Sequence, residues 1–152
     1  MRALTRQMPT VTSHAMRFSR DTERLLSRTR MTLPPDIALA YVKELSADYR
    51  NGVILDADHT LLAGDAQLQH LARALLENSE TALEGETTNG KVFAERSPTH
   101  AIVITTGPFS LSRVVRHDLR QALAGMGAES AQETPVQRIP HSSVEALLEA
   151  SD

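Results

Sequence analysis

Cysteine is absent from the 152 residues, and that single absence removes structural disulfides, thiolate zinc sites and nucleophilic thiol chemistry together. Aromatic residues make up only 3% of the chain, too few for the stacking platforms that hold single-stranded nucleic acid. No apolar run approaches the roughly 20 residues that cross a bilayer, and no secretory apolar core follows the first residues. No pair of histidines has metal-ligand spacing on one helix, and no internal repeat is present. These absences point to a cytoplasmic protein with no transmembrane segment, no cofactor and no metal. What is present is enough for one core and not two, because 41% of the residues are apolar in a chain about one domain long.

Charge is distributed unevenly. Residues 1–31 carry seven arginines against Asp21 and Glu23, a local balance of +5, whereas the remaining residues balance at -8. A segment this different from the rest is read as a basic N-terminal arm, residues 1–35. The four arginines and no acid of its first 20 residues also match the composition of an organellar transit peptide, the solvated arm being the simpler reading. Such an arm attracts anionic lipid or nucleic acid, but the acidic body does not extend that surface, so nucleic acid is not expected as a partner.

Thr32-Leu-Pro-Pro35 separates arm from body, since successive prolines stop a helix from running through. From Asp36, a suitable cap, Ala38, Tyr41, Val42, Leu45 and Tyr49 recur at spacings of three and four and predict a helix face, ended by Asn51-Gly52. Residues 53–56 and 60–63 are short strand-like runs at hairpin spacing. Asp65 then caps a second helix with a stripe of Leu68, Leu71, Ala72, Leu75 and Leu76. Residues 82–88 and 91–96 flank Asn89-Gly90, a strong hairpin signal, and Glu84 and Glu86 mark the first of these strands as an edge. Residues 101–106 are β-branched and apolar enough for a central strand, closed by Gly107-Pro108. A third helix runs from about Ser110, with Leu111, Val114, Val115, Leu119, Ala122, Leu123 and Met126 on one face, to Gly125 or Gly127. Residues 128–141 read as a polar loop, after which Ser142 or Ser143 caps a short helix whose Val144, Leu147 and Leu148 dock on the body or on a partner. The chain thus divides into the arm, a domain over residues 36–127, and residues 128–152. The order of elements predicts an α+β fold, an antiparallel five-stranded sheet with helices packed on it.

Asp56-Ala-Asp58-His-Thr60 supports two incompatible readings. Following an apolar strand, it resembles the first motif of the haloacid dehalogenase-like phosphatases, in which Asp56 would attack phosphorus with magnesium held by the pair, Asp58 would move the proton and Thr60 would position the phosphate. Ile104-Thr-Thr-Gly107 resembles that family's second motif. The remaining machinery does not follow: Lys91 is the last lysine, and after Gly107 no two acids are adjacent. Arg113, Arg116 and Arg120 have ordinary solvated places on an amphipathic helix. A second strand also begins within about four residues, which a parallel crossover cannot accommodate. The alternative is a hairpin whose turn is Asp58-His59.

With the elements placed, residues 36 to about 126 resemble the roadblock / dynein light-chain family, whose profilin-like domain has this helix and strand order. The resemblance is carried by residues 36–46, by Gly52-Val-Ile-Leu-Asp-Ala-Asp58 with Leu62-Ala-Gly-Asp65, by residues 99–107, and by His117-Asp-Leu-Arg120, similar to bacterial members. One departure is His59, where the family usually has glycine. The resemblance implies a non-enzymatic scaffold or regulator with no catalytic residues, a homodimer, and a small GTPase among its partners. It places the dimer interface on the second helix and the following edge strand, at Leu68, Leu71, Leu75, Leu76, Leu83, Glu84 and Glu86. The leucine stripe gives an independent reason, since a five-stranded domain need not cover it.

Overall fold

The computed structural model describes residues 32–79, 82–127 and 136–150, and the expectations for residues 1–31 and 128–135 lie outside them. The elements are α1 (Pro35–Leu45), β1 (Tyr49–Asp56), β2 (Leu61–Gly64), α2 (Ala66–Glu77), β3 (Ala82–Thr87), β4 (Gly90–Arg96), β5 (His100–Thr106), α3 (Ser112–Gly125), β6 (Val136–Ile139) and α4 (His141–Glu149). None of the described helices is long and apolar enough to cross a membrane.

The strands form one sheet in the order β2-β1-β5-β4-β3-β6. The first five are antiparallel to their neighbours, as the sequence implies. The sixth corrects the reading of residues 128–141 as loop, because β6 pairs in parallel with β3 from Ala82↔Val136 to Gly85↔Ile139. Its four residues have no inside-outside alternation, both ends being half-buried and Gln137 and Arg138 exposed, so no period of two was there to be read.

Alternation along the longer strands serves both faces of the sheet. Val53, Leu55, Val92, Ala94, Ala101 and Val103 face α2 and α4, and Ile54, Phe93, Ile102 and Ile104 face α1 and α3. The result is three layers with two helices on each side. α2 is held at both ends: the Asp65 carboxylate accepts from the Gln67 N–H at 2.9 Å. At the other end Arg96 of β4 donates to the carbonyls of Leu76 and Ser79, supplying the cation that the last turn lacks.

Three local expectations are corrected. The cap of α1 is Pro34, with Pro35 at the first position, where a missing N–H costs nothing, and Asp36 in the first turn against the helix dipole. α4 is likewise preceded by Pro140 rather than capped by Ser142 or Ser143. The β3–β4 turn is centred on Thr88-Asn89, with Thr87 paired to Gly90. Gly90 is required because a Cβ there would lie 1.9 Å from the Thr106 carbonyl oxygen.

Arg116 and Arg120 are not ordinary solvated side chains. Their Nε atoms lie 3.3 and 3.4 Å from one carboxylate oxygen of Glu95, which is only 3% exposed. Burial nevertheless outweighs the two guanidinium groups and pushes the Glu95 carboxyl above its ordinary 4.5. A raised folded-state value means the stabilisation is full below about 4.5 and is lost as pH rises through the folded titration. Glu95→Gln is therefore expected to gain stability relative to wild type as pH rises above 4.5, read from urea midpoints at several pH values. A variant that falls progressively below wild type over that range would show that the ion pairs dominate.

Candidate interaction surface

The β1–β2 turn gives the paired aspartates a structural role. Asp56 Oδ1 accepts from the N–H of Asp58 at 2.9 Å and of Thr60 at 2.8 Å, and the Asp56 N–H donates to the Thr60 carbonyl at 3.0 Å. The carboxylate thus closes the loop on itself, an Asx-type turn. His59 takes the left-handed conformation with φ 62°. Strand pairing runs Val53↔Gly64, Ile54↔Ala63 and Leu55↔Leu61, antiparallel, as a hairpin requires.

The phosphatase constellation is pulled apart by the same sheet. β1 is antiparallel to both neighbours, with Asp56 opposite His100 and Tyr49 opposite Thr106. Thr106, the residue of the second motif, therefore sits about 20 Å from Asp56, at the other end of the strand. Its hydroxyl is buried against Ser110 Oγ at 2.6 Å, and Lys91 Nζ is engaged with the Ser110 carbonyl at 3.0 Å. Among the described residues no group of three or more His, Asp or Glu is placed to hold a metal ion.

The residues expected at an interface differ in exposure. Leu68, Leu71, Leu75 and Leu76 are buried in the protein's own core with Val53, Leu55 and Leu83. Glu84 is half-buried and accepts from the Ser112 hydroxyl, and Glu86 is exposed. The outer side of β3 is paired with β6 over residues 82–85, so the open edge read at Leu83–Thr88 is corrected over that stretch. α4 lies across the same strand: Val144 is fully buried, and a Cβ on Gly85 would come within 2.7 Å of its Cγ2. Glu145 accepts from the Thr88 N–H at 2.8 Å and from its hydroxyl at 2.7 Å, bonds that hold its carboxyl below the ordinary carboxylate value. Docking of the last helix on the body, one of the two alternatives the sequence leaves open, is thus the observed arrangement, through Val144, Leu147 and Leu148.

The open apolar surface is on the opposite face. α1 and α3 run antiparallel, tied at one end by the Leu33 N–H to the Gly125 carbonyl and at the other by the Gly107 N–H to the Asp48 carbonyl. At the second end Phe109 is 86% exposed and Leu111 70%, with Val114 about half-exposed. Ile37, Tyr41 and Leu45 form a line of partly exposed apolar side chains along α1 at intervals of four. The periodicity of the sequence places Tyr41, Leu45, Leu111 and Val114 on apolar faces with the buried residues, and the structure corrects this. Two helices side by side on one sheet bury only the narrower stripes of Ala38 and Val42 and of Val115, Leu119, Ala122 and Leu123. The loop carrying Phe109 is fixed from beneath by the Thr106, Ser110 and Lys91 hydrogen bonds, so the aromatic ring is presented on a rigid base.

The arrangement is the α+β domain with a five-stranded antiparallel sheet that the sequence predicts, extended by one parallel strand and a helix. Among solved structures the chain is similar to MglC from Myxococcus xanthus, at 12% identity and a TM-score of 0.44 over 59% of this chain and 94% of that one. It is similar to the gliding protein MglB from Thermus thermophilus, at 15% identity and a TM-score of 0.44 over 62% and 90%, and to Myxococcus xanthus MglB, at 14% and 0.42 over 64% and 85%. No protein-family model matches the chain, and no curated protein matches it.

Proposed function

We propose that this chain is a non-catalytic scaffold or regulatory module that pairs with a second copy of itself and holds a small GTPase. The supporting observation is the surface at the β5–α3 end: a hydrogen-bonded loop that leaves Phe109 and Leu111 in water, on the side of the sheet that carries α1 and α3. Large apolar side chains gathered at one place on a soluble domain are the usual mark of a protein-binding site. The hairpin role of Asp56 agrees with this reading, since the carboxylate is already committed to two backbone N–H groups. The GTPase as partner, and the cytoplasm as location, come from the family resemblance and the composition.

The test is a titration of the full chain against purified small GTPases loaded with GDP or a non-hydrolysable GTP analogue, followed by calorimetry. Binding that prefers one nucleotide state is expected, weakened at least ten-fold by Phe109→Ser with Leu111→Ser, two exposed positions whose replacement leaves the fold intact. A magnesium-dependent phosphoester hydrolysis abolished by Asp56→Asn would overturn the reading in favour of the phosphatase.

A further inference from the structure

The C-terminal segment is attached to the body in an unusual way. Among the described strands β6 alone pairs in parallel, does so over four residues, and meets a strand some fifty positions earlier in the sequence. Of α4 only Val144 is fully buried, Leu147 and Leu148 being partly covered. The polar ties include the Glu145 bonds to Thr88 and the Ser79 hydroxyl to Gln137 Oε1 at 2.9 Å. Between α2 and this segment a cleft of about 460 Å³ remains, lined by Ala74, Leu75, Leu83, Ile139, Ala146 and Leu147. The cleft opens to solvent, so the apolar contact between α2 and this segment is small and partly wet.

We infer that residues 136–149 are exchangeable between copies of this chain: the α2–β3 face is an interaction surface, and its partner is the β6–α4 segment of a second copy. The occupant is identified by fit. The face accommodates Val144 over the bare Cα of Gly85, offers Thr88 to Glu145, and presents β3 backbone to β6. A second copy necessarily carries every one of those complements. Exchange makes the same contacts within one chain or between two, so effective concentration decides the balance. The inference deepens the self-pairing part of the proposed function and rests on it.

Complementation between two full-length variants tests it. Val144→Asp disables the segment and leaves the face intact, while Gly85→Val blocks the face and leaves the segment intact. Each alone is expected to be a monomer by light scattering, and an equimolar mixture is expected to form a one-to-one dimer of doubled mass at micromolar concentration. A mixture whose mass is the average of its two components would overturn the inference. So would Val144→Asp dimerising alone, since β3 would then pair with itself and no segment would be exchanged. Should Val144→Asp lose its circular dichroism, Glu145→Lys replaces it, breaking the Thr88 bonds and the pairing with His141 within α4, and the same outcomes apply. GTPase binding measured on the same samples separates the two proposals: exchange can fail while binding at Phe109 persists.

Discussion

Phe93→Ala is expected to lower the unfolding free energy by about 3–5 kcal/mol, the range for emptying a fully buried aromatic site. Among the described residues Phe93 is the largest fully buried side chain, at 0% exposure, and sits on β4 where α1 and α3 close over the sheet with Ile54, Ile102, Ile104 and Leu119. The sheet beneath it is paired on both sides, so the walls cannot collapse into the space, which puts the expectation at the upper part of the range. For a domain of this size a loss of that order lowers the melting temperature by about 10 °C or more. Urea unfolding checks it, with the slope unchanged so that the midpoint reports stability. Phe109→Ala is the control: the same chemical change at an exposed ring should stay within about 0.5 kcal/mol. Equal losses at the two positions would contradict the assignment of one phenylalanine to the core and the other to a binding surface.

Gly64→Ala should be comparably damaging for a different reason. Gly64 ends β2 with φ +103°, and a Cβ there would stand 2.1 Å from the Gly52 carbonyl oxygen and 2.8 Å from Val53 Cα. The left-handed backbone alone costs a side chain about 1–3 kcal/mol. The clash is with main chain, so β2 must move away from β1 or the sheet must open there. Either movement also breaks the bond from the Asp65 N–H to the Gly52 carbonyl, 3.1 Å long, which sets the residue that caps α2. A loss of more than about 3 kcal/mol by urea unfolding is expected, accompanied by faster hydrogen exchange in the first turn of α2. Gly127→Ala offers a contrast, because that glycine also has a positive φ, at 97°, but the nearest atom a Cβ would meet is a Thr32 methyl at 3.3 Å. A cost below about 1 kcal/mol for Gly64→Ala would show that the β1–β2 hairpin is not packed as described.

The legible parts of the molecule were those whose cause is local. The leucine stripe of α2 repeats within four residues, Asp65 reaches a donor two positions on, and Asp56 closes its turn within four, so each could be read from neighbouring letters. The hairpin reading of Val53–Ala63 followed from the same short range, and it stands against the phosphatase because Asp56 and Thr106 fall at opposite strand ends. Helix faces were legible only as apolar, not as buried. Leu111 and Val114 share the periodicity of Val115 and Leu119, yet they extend past the contact with the sheet and with α1. Glu95 gave no sign of its two arginine partners, which lie twenty or more positions away on another element.

What the sequence determined alone is the set of elements and the turns between them, because propensity, capping and periodicity act over three or four residues. Only the tertiary structure decided which apolar surfaces meet. Val136–Ile139 became a strand because β3 offered it an unpaired edge, and the stripe of α2 was buried mainly against the chain's own sheet, with the last helix at its side, instead of standing open. A four-residue strand carries no period to be read, and the energy that fixes its place comes from an edge more than fifty residues away.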